Sequence, residues 1–126
     1  MFLFTRYQQL FKQDQFLTPI MWRILKTELF EKKFNKLDKS LQEQIENIKK
    51  QLEYNPYVGD ALQVEFFREK RIGKFRIYYL IYKEYVIVYM ITISGKKDQQ
   101  KAIDTVLLFL DKYKEEIEQW VEKYKS

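Results

Sequence analysis

The sequence predicts an α+β domain in which a small antiparallel sheet carries helices. Two observations lead to this class. Residues 75–82 and 85–93 read as consecutive strands with alternating side chains, and the segments on either side of the strand region, residues 31–52 and 98–124, place apolar residues at steps of three and four. A chain of 126 residues is long enough for one hydrophobic core but not for two, so a single domain is expected.

The first 20 residues differ from the rest of the chain, being rich in Gln and Phe with Pro19 near their end. We expect residues 1–20 to form an N-terminal extension and residues 21–126 to form the domain. The extension either covers an apolar edge of the domain, or translation can start at Met21, or the first 20 residues are a family-specific addition.

A strand over residues 22–29 is expected to begin the domain, followed by a helix over residues 31–37. Asp38 and Lys39 break this helix, and Ser40 with Glu43 has the spacing of a capping box for a second helix. The second helix ends at Asn55-Pro56, and its apolar residues lie on one side. These residues are Leu41, Ile45, Ile48 and Leu52. The pair therefore forms a helical hairpin that must lie on a sheet.

Three strands are predicted next, over residues 64–72, 75–82 and 85–93, with tight connections at 73–74 and 83–84 that make a meander. The two sides of the middle strand both carry apolar residues, which indicates a sheet covered on both faces. Arg76 lies near the start of this strand, and we expect it at an uncovered end of the sheet.

From Asp98 onward the apolar spacing predicts one C-terminal helix of about 27 residues, roughly 40 Å long. Such a helix is long for this domain, so its second half, with Trp120 and Tyr124, is expected to extend past the core. Either a second copy or another partner chain would cover the apolar stripe there, or residues 1–20 would do so.

The composition excludes several kinds of chemistry. Without cysteine or histidine there is no disulfide, no thiolate nucleophile, no Cys-ligated zinc and no imidazole base, and no metal or cofactor is expected. The net charge of +5 suits an acidic partner such as RNA, DNA or an acidic protein. No signal peptide or membrane span is apparent, which predicts a cytoplasmic protein.

The order of these elements and two local motifs resemble the RelE/ParE superfamily of toxins from toxin–antitoxin systems. One motif is the helical hairpin FEKKFNKLDKSLQEQIENIKKQLEYNP, and the other is the strand pair RIGKFRIYYLIYKEYVIVYMITISGKK, which contains the Gly-x-aromatic-Arg signature at residues 73–79. The resemblance implies an α+β fold, a cognate antitoxin partner, and for RelE-like members a metal-independent endoribonuclease that cuts mRNA on the ribosome. ParE-like members act on DNA gyrase instead, and a degenerate member would only self-associate through its long helix.

The resemblance also suggests site residues. Arg76 matches the strand arginine that holds the scissile phosphate, and Lys97 matches a second functional cation after the last strand, so these two are the candidate catalytic residues. Candidate RNA-binding residues are Arg68, Lys70, Lys96 and Tyr78. A tyrosine common at the start of the last helix is missing from residues 98–103, and its loss would lower activity unless Tyr78 or Tyr82 substitutes in base stacking.

Overall fold

A five-stranded sheet forms the centre of the protein, for which a computed structural model describes residues 20–124. The predicted extension, apart from Ile20, therefore lies outside the described residues. The strand order is β1-β5-β4-β3-β2. The strands are β1 (Arg23–Lys26), β2 (Asp60–Leu62), β3 (Val64–Ile72), β4 (Phe75–Tyr82) and β5 (Ile87–Gly95).

Within residues 20–124, four helices cover both faces of this sheet, where the sequence predicts three helices and cover on both faces. They are α1 (Glu28–Asn35), α2 (Lys39–Tyr54), α3 (Gln99–Leu108) and α4 (Leu110–Tyr124). α1 and α2 supply the core of one face, and α3 and α4 supply the core of the other. Among residues 20–124, no helix combines the length and the apolar character needed to cross a membrane.

The β3–β4 hairpin has the predicted bounds. Its two-residue turn places Gly73 at φ +58°, where a residue without Cβ is least strained, and pairs Ile72 with Phe75. β5 begins two residues later than predicted. The reason is a 3₁₀ turn over Lys83–Tyr85, followed by Val86 in the left-handed region at φ 56°, which lengthens the connection beyond a tight turn.

The N-terminal strand is shorter than predicted because Thr27 ends it and caps α1. The Thr27 hydroxyl accepts a hydrogen bond from the Phe30 amide at 2.9 Å, so the helix begins where the sequence suggested continued strand. β1 pairs with β5 in parallel. The short strand β2, which the sequence analysis missed, extends the other edge of the sheet antiparallel to β3.

The predicted capping box of the second helix is wrong. Asp38 is the N-cap of α2, and its carboxylate accepts from the Leu41 amide at 2.9 Å. Ser40 lies inside the helix. A carboxylate at the N-cap also suits the positive end of the helix dipole, which favours Asp38 over the hydroxyl two residues later.

The prediction of a single long C-terminal helix is also wrong. Phe109 interrupts it, with φ −107° and ψ 20°, and divides the segment into α3 and α4. The break lets α4 stay on the sheet, where Ile117 is buried and the Arg23 guanidinium lies 5.2 Å from the centre of the Trp120 ring. Apolar surface remains exposed at the end of α3 and at the end of α4, chiefly at Leu108 and Tyr124.

A β-bulge at Ile91 changes which side chains of β5 face α3. Tyr78 pairs with Thr92, but the next residue, Tyr79, pairs with Met90, so Ile91 is the extra residue of β5. Ile91 belongs to the core under α3 and α4. Beyond the bulge, Thr92 and Ser94 face this side as well, and Ser94 pairs with Arg76.

Candidate anion site at Arg76

Arg76 is buried beneath the start of α3, with only 5 % of its surface exposed. It pairs with Arg71 of β3 on one side and with Ser94 of β5 on the other. The expectation that Arg76 lies at an uncovered end of the sheet is therefore wrong. The first turn of α3 is anchored over it through Gln99, which bonds to Glu69 on the neighbouring strand.

The guanidinium of Arg76 is poorly satisfied for a buried charge. Its Nε lies 4.0 Å from Oε2 of Glu69, an ion pair too long to be a hydrogen bond, and its buried Nη1 has no hydrogen-bond partner among residues 20–124. The same Glu69 oxygen accepts a hydrogen bond from the Gln99 amide at 2.9 Å. Buried polar groups are normally paired, so an unpaired guanidinium nitrogen marks a place suited to an anion.

Tyr78 completes the inner part of the site but cannot stack on a base. Its side chain is fully buried, and its hydroxyl shares a 3.0 Å hydrogen bond with the Ser94 hydroxyl. Burial raises the pKa of Tyr78 to about 12, and the nearby Glu69 carboxylate acts in the same direction against the Ser94 hydrogen bond. The expectation that Tyr78 contacts RNA by stacking is wrong, and buried Tyr82 does not replace it.

Lys96 and Lys97 are exposed in the turn between β5 and α3. The turn is held at both ends beside Arg76, because Ser94 pairs with Arg76 and Gln99 bonds to the partner of Arg76. Three residues span at most roughly 11 Å from Ser94 to Lys97, so Lys97 stays on the same end of the molecule as Arg76.

Four exposed cations lie at the same end of the sheet as the buried arginine, where the β3–β4 turn and the end of β5 meet. This basic rim consists of Arg71, Lys74, Lys96 and Lys97. Arg71 donates to the Gly73 carbonyl at 3.3 Å, which holds its charge close to the turn. The rim would attract a polyanion toward the site and position its phosphates.

A cavity of about 230 Å³ opens beside the site, between α1 and α3. The buried residues Thr92 and Ser94 line it on the sheet side, and Lys33 and Lys101 line it on the helix side. The cavity and the Arg76 site thus share Ser94.

Arg68 and Lys70 do not join Arg76. They pair with Tyr79 and Ile77, whose side chains belong to the core under α1 and α2, so they lie on the opposite face of the sheet. Arg68 is taken up by contacts within the fold: it donates to the carbonyls of Gly59 and Glu65 at 2.9 Å each. It also contacts the Glu65 carboxylate and lies 5.2 Å from the centre of the Tyr57 ring. Arg68 and Lys70, the candidate RNA-binding residues of β3, therefore do not share a cleft with Arg76.

No protein-family model and no curated protein matches this sequence, but solved structures match the fold. A mutant of the E. coli toxin RelE in the free state has a TM-score of 0.58 at 15% identity, covering 68% of this chain and 98% of that chain. The RelBE2 toxin–antitoxin complex from Mycobacterium tuberculosis has a TM-score of 0.55 at 19% identity, covering 63% of this chain and 95% of that chain. The archaeal RelE–RelB complex from Pyrococcus horikoshii has a TM-score of 0.56 at 17% identity, covering 60% of this chain and 96% of that chain.

This chain has the RelE toxin fold. Nearly the whole length of each of these RelE chains is matched, while about a third of this chain falls outside the matched region. The fold class that the sequence predicts is thereby confirmed. Identities of 15% to 19% establish the fold and leave the roles of individual residues to the geometry of this chain.

Within the RelE-like fold, the sequence analysis missed three residues of the site: Glu69, Gln99 and Arg71. A signal was present for the two on β3. A two-residue turn at 73–74 pairs residue 71 with 76 and residue 69 with 78, so these four share one face of the sheet. Gln99 had no such signal, because its contact with Glu69 depends on where α3 lands.

Proposed function

We propose that this chain is the toxin of a type II toxin–antitoxin pair and that, like RelE-type toxins, it cleaves mRNA on the ribosome without a metal. The RelE fold supports the class. The Arg76 site supports the activity, because a buried guanidinium with an unpaired nitrogen, with a basic rim at the same end of the sheet, suits a phosphodiester. The unpaired Nη1 of Arg76 is the observation that carries this proposal.

The proposed reaction transfers the phosphoryl group within the RNA. The 2′-hydroxyl loses its proton and its oxygen bonds to phosphorus, while the bond to the 5′-oxygen breaks and that oxygen takes up a proton. The products are a 2′,3′-cyclic phosphate and a 5′-hydroxyl. Arg76 would hold the non-bridging oxygens as negative charge builds up on them, and Lys97 of the rim would face the phosphate or the leaving oxygen. Lys96 would bind a flanking phosphate.

The proposed partners follow from the same class. RelE chains form complexes with RelB in the structures from M. tuberculosis and P. horikoshii, and a cognate antitoxin is proposed for this chain too. An acidic, partly disordered peptide would suit a chain of net charge +5. The mRNA and the ribosome would be the other partners, which places the proposed activity in the cytoplasm.

Induced expression of the wild-type chain beside Arg76→Ala tests the activity. The wild type should arrest growth and produce new codon-linked 5′ ends on cellular messages, detected by primer extension, and both effects should disappear in Arg76→Ala. Lys50→Ala, which removes an exposed charge from α2, is the matched control and should behave as wild type. Cleavage that persists in Arg76→Ala would refute the assigned role of Arg76.

A second candidate function is binding to a protein target without RNA cleavage, either of the gyrase type or through self-association. Two observations favour it: Glu69 already lies beside Arg76, and the described residues offer no exposed aromatic side chain at the start of α3. Growth arrest with DNA-damage signalling and no new 5′ ends would select the gyrase-type reading. Loss of a dimer on substituting Tyr124 of α4 would select self-association.

A further inference from the structure

We propose that Glu69 closes the Arg76 site in the isolated chain, occupying the place of a phosphate, and that Gln99 holds it there. The inference rests on the proposed function, because it describes how nucleic acid gains access to the same arginine. It assigns roles to two residues that the sequence analysis missed, both of which contact each other directly.

The Arg76 guanidinium is not open to a phosphodiester in the isolated chain. Arg76 is 5 % exposed, and the Glu69 side chain beside it is 13 % exposed. A phosphodiester cannot approach a guanidinium covered to this degree without displacing a neighbour. The group that must move is Glu69, because a carboxylate and a phosphate compete for the same positive charge.

The ion pair between Arg76 and Glu69 is long. At 4.0 Å it has no hydrogen bond, and Nη1 of Arg76 stays unpaired. On the other face, Arg68 shows what a structural arginine looks like here, with two carbonyl acceptors at 2.9 Å and a directly bonded carboxylate. The Glu69 carboxylate therefore compensates the charge of Arg76 without satisfying its donors, which leaves the pair easy to exchange for an oxyanion.

A hydrogen bond from Gln99 holds the Glu69 carboxylate. The Gln99 amide donates to Oε2 of Glu69 at 2.9 Å, and Gln99 is the first residue of α3. The turn that carries Lys97 leads directly into it. A movement of this turn that releases Glu69 would therefore also reposition Lys97, so opening the site and placing the second cation are one event.

Binding of short single-stranded oligoadenylate to purified protein tests this inference. Glu69→Gln keeps the shape of the side chain and removes its charge, and it should tighten binding by about tenfold relative to wild type. Glu43→Gln makes the same charge change on the exposed surface of α2 and should alter binding by less than about twofold. Adding Arg76→Ala to Glu69→Gln should abolish the gain.

Gln99→Ala provides a second variant that leaves Glu69 in place and should tighten binding less than Glu69→Gln does. Oligoadenylate binding by both variants that is no tighter than that of the wild type would overturn the inference. So would a Glu69→Gln chain that binds normally but no longer cleaves, because that result assigns Glu69 to proton transfer. The proposed function fails separately: an Arg76-dependent gain in binding without any cleavage by the wild type would keep the closed site and reject the nuclease.

Discussion

Arg68 and Arg76 lie eight positions apart on neighbouring strands, are buried to a similar extent, and differ in almost everything else. Arg68, under α1 and α2, has acceptors for its donors and an aromatic ring beside it. Arg76, under α3 and α4, has one distant carboxylate and an unpaired nitrogen. A buried arginine that the fold satisfies stabilises the fold, and one that the fold leaves unsatisfied is available to a ligand.

The largest expected effect that sharpens this contrast is on activity. Arg76→Lys retains the positive charge but loses the planar, two-pronged donor set, and it should reduce mRNA cleavage by about 10²-fold. The same change at Arg68 should leave cleavage within about threefold of wild type as long as the protein stays folded. Rates from primer extension over a time course would measure both, and equal losses at the two positions would remove the distinction.

The next effect is on stability, where the order reverses. Arg68→Ala leaves the carbonyls of Gly59 and Glu65 without donors and should lower the free energy of unfolding by about 2–3 kcal/mol. Arg76→Ala removes no hydrogen bond within residues 20–124, takes away an unpaired buried nitrogen and leaves Glu69 bonded to Gln99, so it should cost less than Arg68→Ala. Urea unfolding followed by circular dichroism would show the difference, and a larger loss for Arg76→Ala would contradict our assignment of the two arginines.

Two adjacent tyrosines repeat the comparison on a smaller scale. The Tyr79 hydroxyl donates to the Pro56 carbonyl at 2.7 Å and accepts from the Gly59 amide at 3.1 Å, so it holds the loop that Arg68 also holds. Tyr79→Phe should cost about 1–3 kcal/mol. Tyr78→Phe loses the bond to Ser94 and should cost about 1 kcal/mol, measured in the same unfolding experiment. Equal costs would show that the loop does not depend on Tyr79.

The smallest expected effect is on how the free energy of unfolding depends on pH above pH 10. Burial raises the pKa of Tyr78 and of Tyr79 to about 12, one residue on each face. Below pH 10 these hydroxyls are protonated in both the folded and the unfolded chain. Between pH 10 and 12 the unfolded chain loses the protons and the folded chain keeps them, so the free energy of unfolding falls as the pH rises. Tyr78→Phe and Tyr79→Phe should each flatten this fall, seen as a weaker dependence of the urea midpoint on pH. A slope unchanged in both variants would show that neither tyrosine contributes.

Local patterns explain which parts of the fold the sequence predicts. β3 and β4 have the expected bounds because alternation and the turn at Gly73 act within the hairpin. The break at Phe109 was not predictable, because neither proline nor glycine marks it and the apolar spacing continues through residues 103–117. The bend depends on the sheet beneath, which the local sequence does not describe.

The candidate site divides in the same way. The motif around Arg76 and the cations after β5 are visible in the sequence, and their shared end of the sheet follows from strand order. The burial of Arg76 and Tyr78 is not visible, because it results from Gln99 and α3 packing over residues about 20 to 30 positions earlier. Glu69 was missed because strand register, rather than the presence of positive charge, determines which residues face Arg76.

The extra residue in β5 has a consequence for how this protein can change. Ile91 is the unpaired residue, so removing it would join Met90 to Thr92 in regular alternation and leave the later residues of the strand on their present faces. Ser94 would still meet the Tyr78 hydroxyl, and the core under α3 and α4 would lose the Ile91 side chain. A three-nucleotide deletion of this codon would thus remove one apolar side chain from the core and spare the arginine pocket.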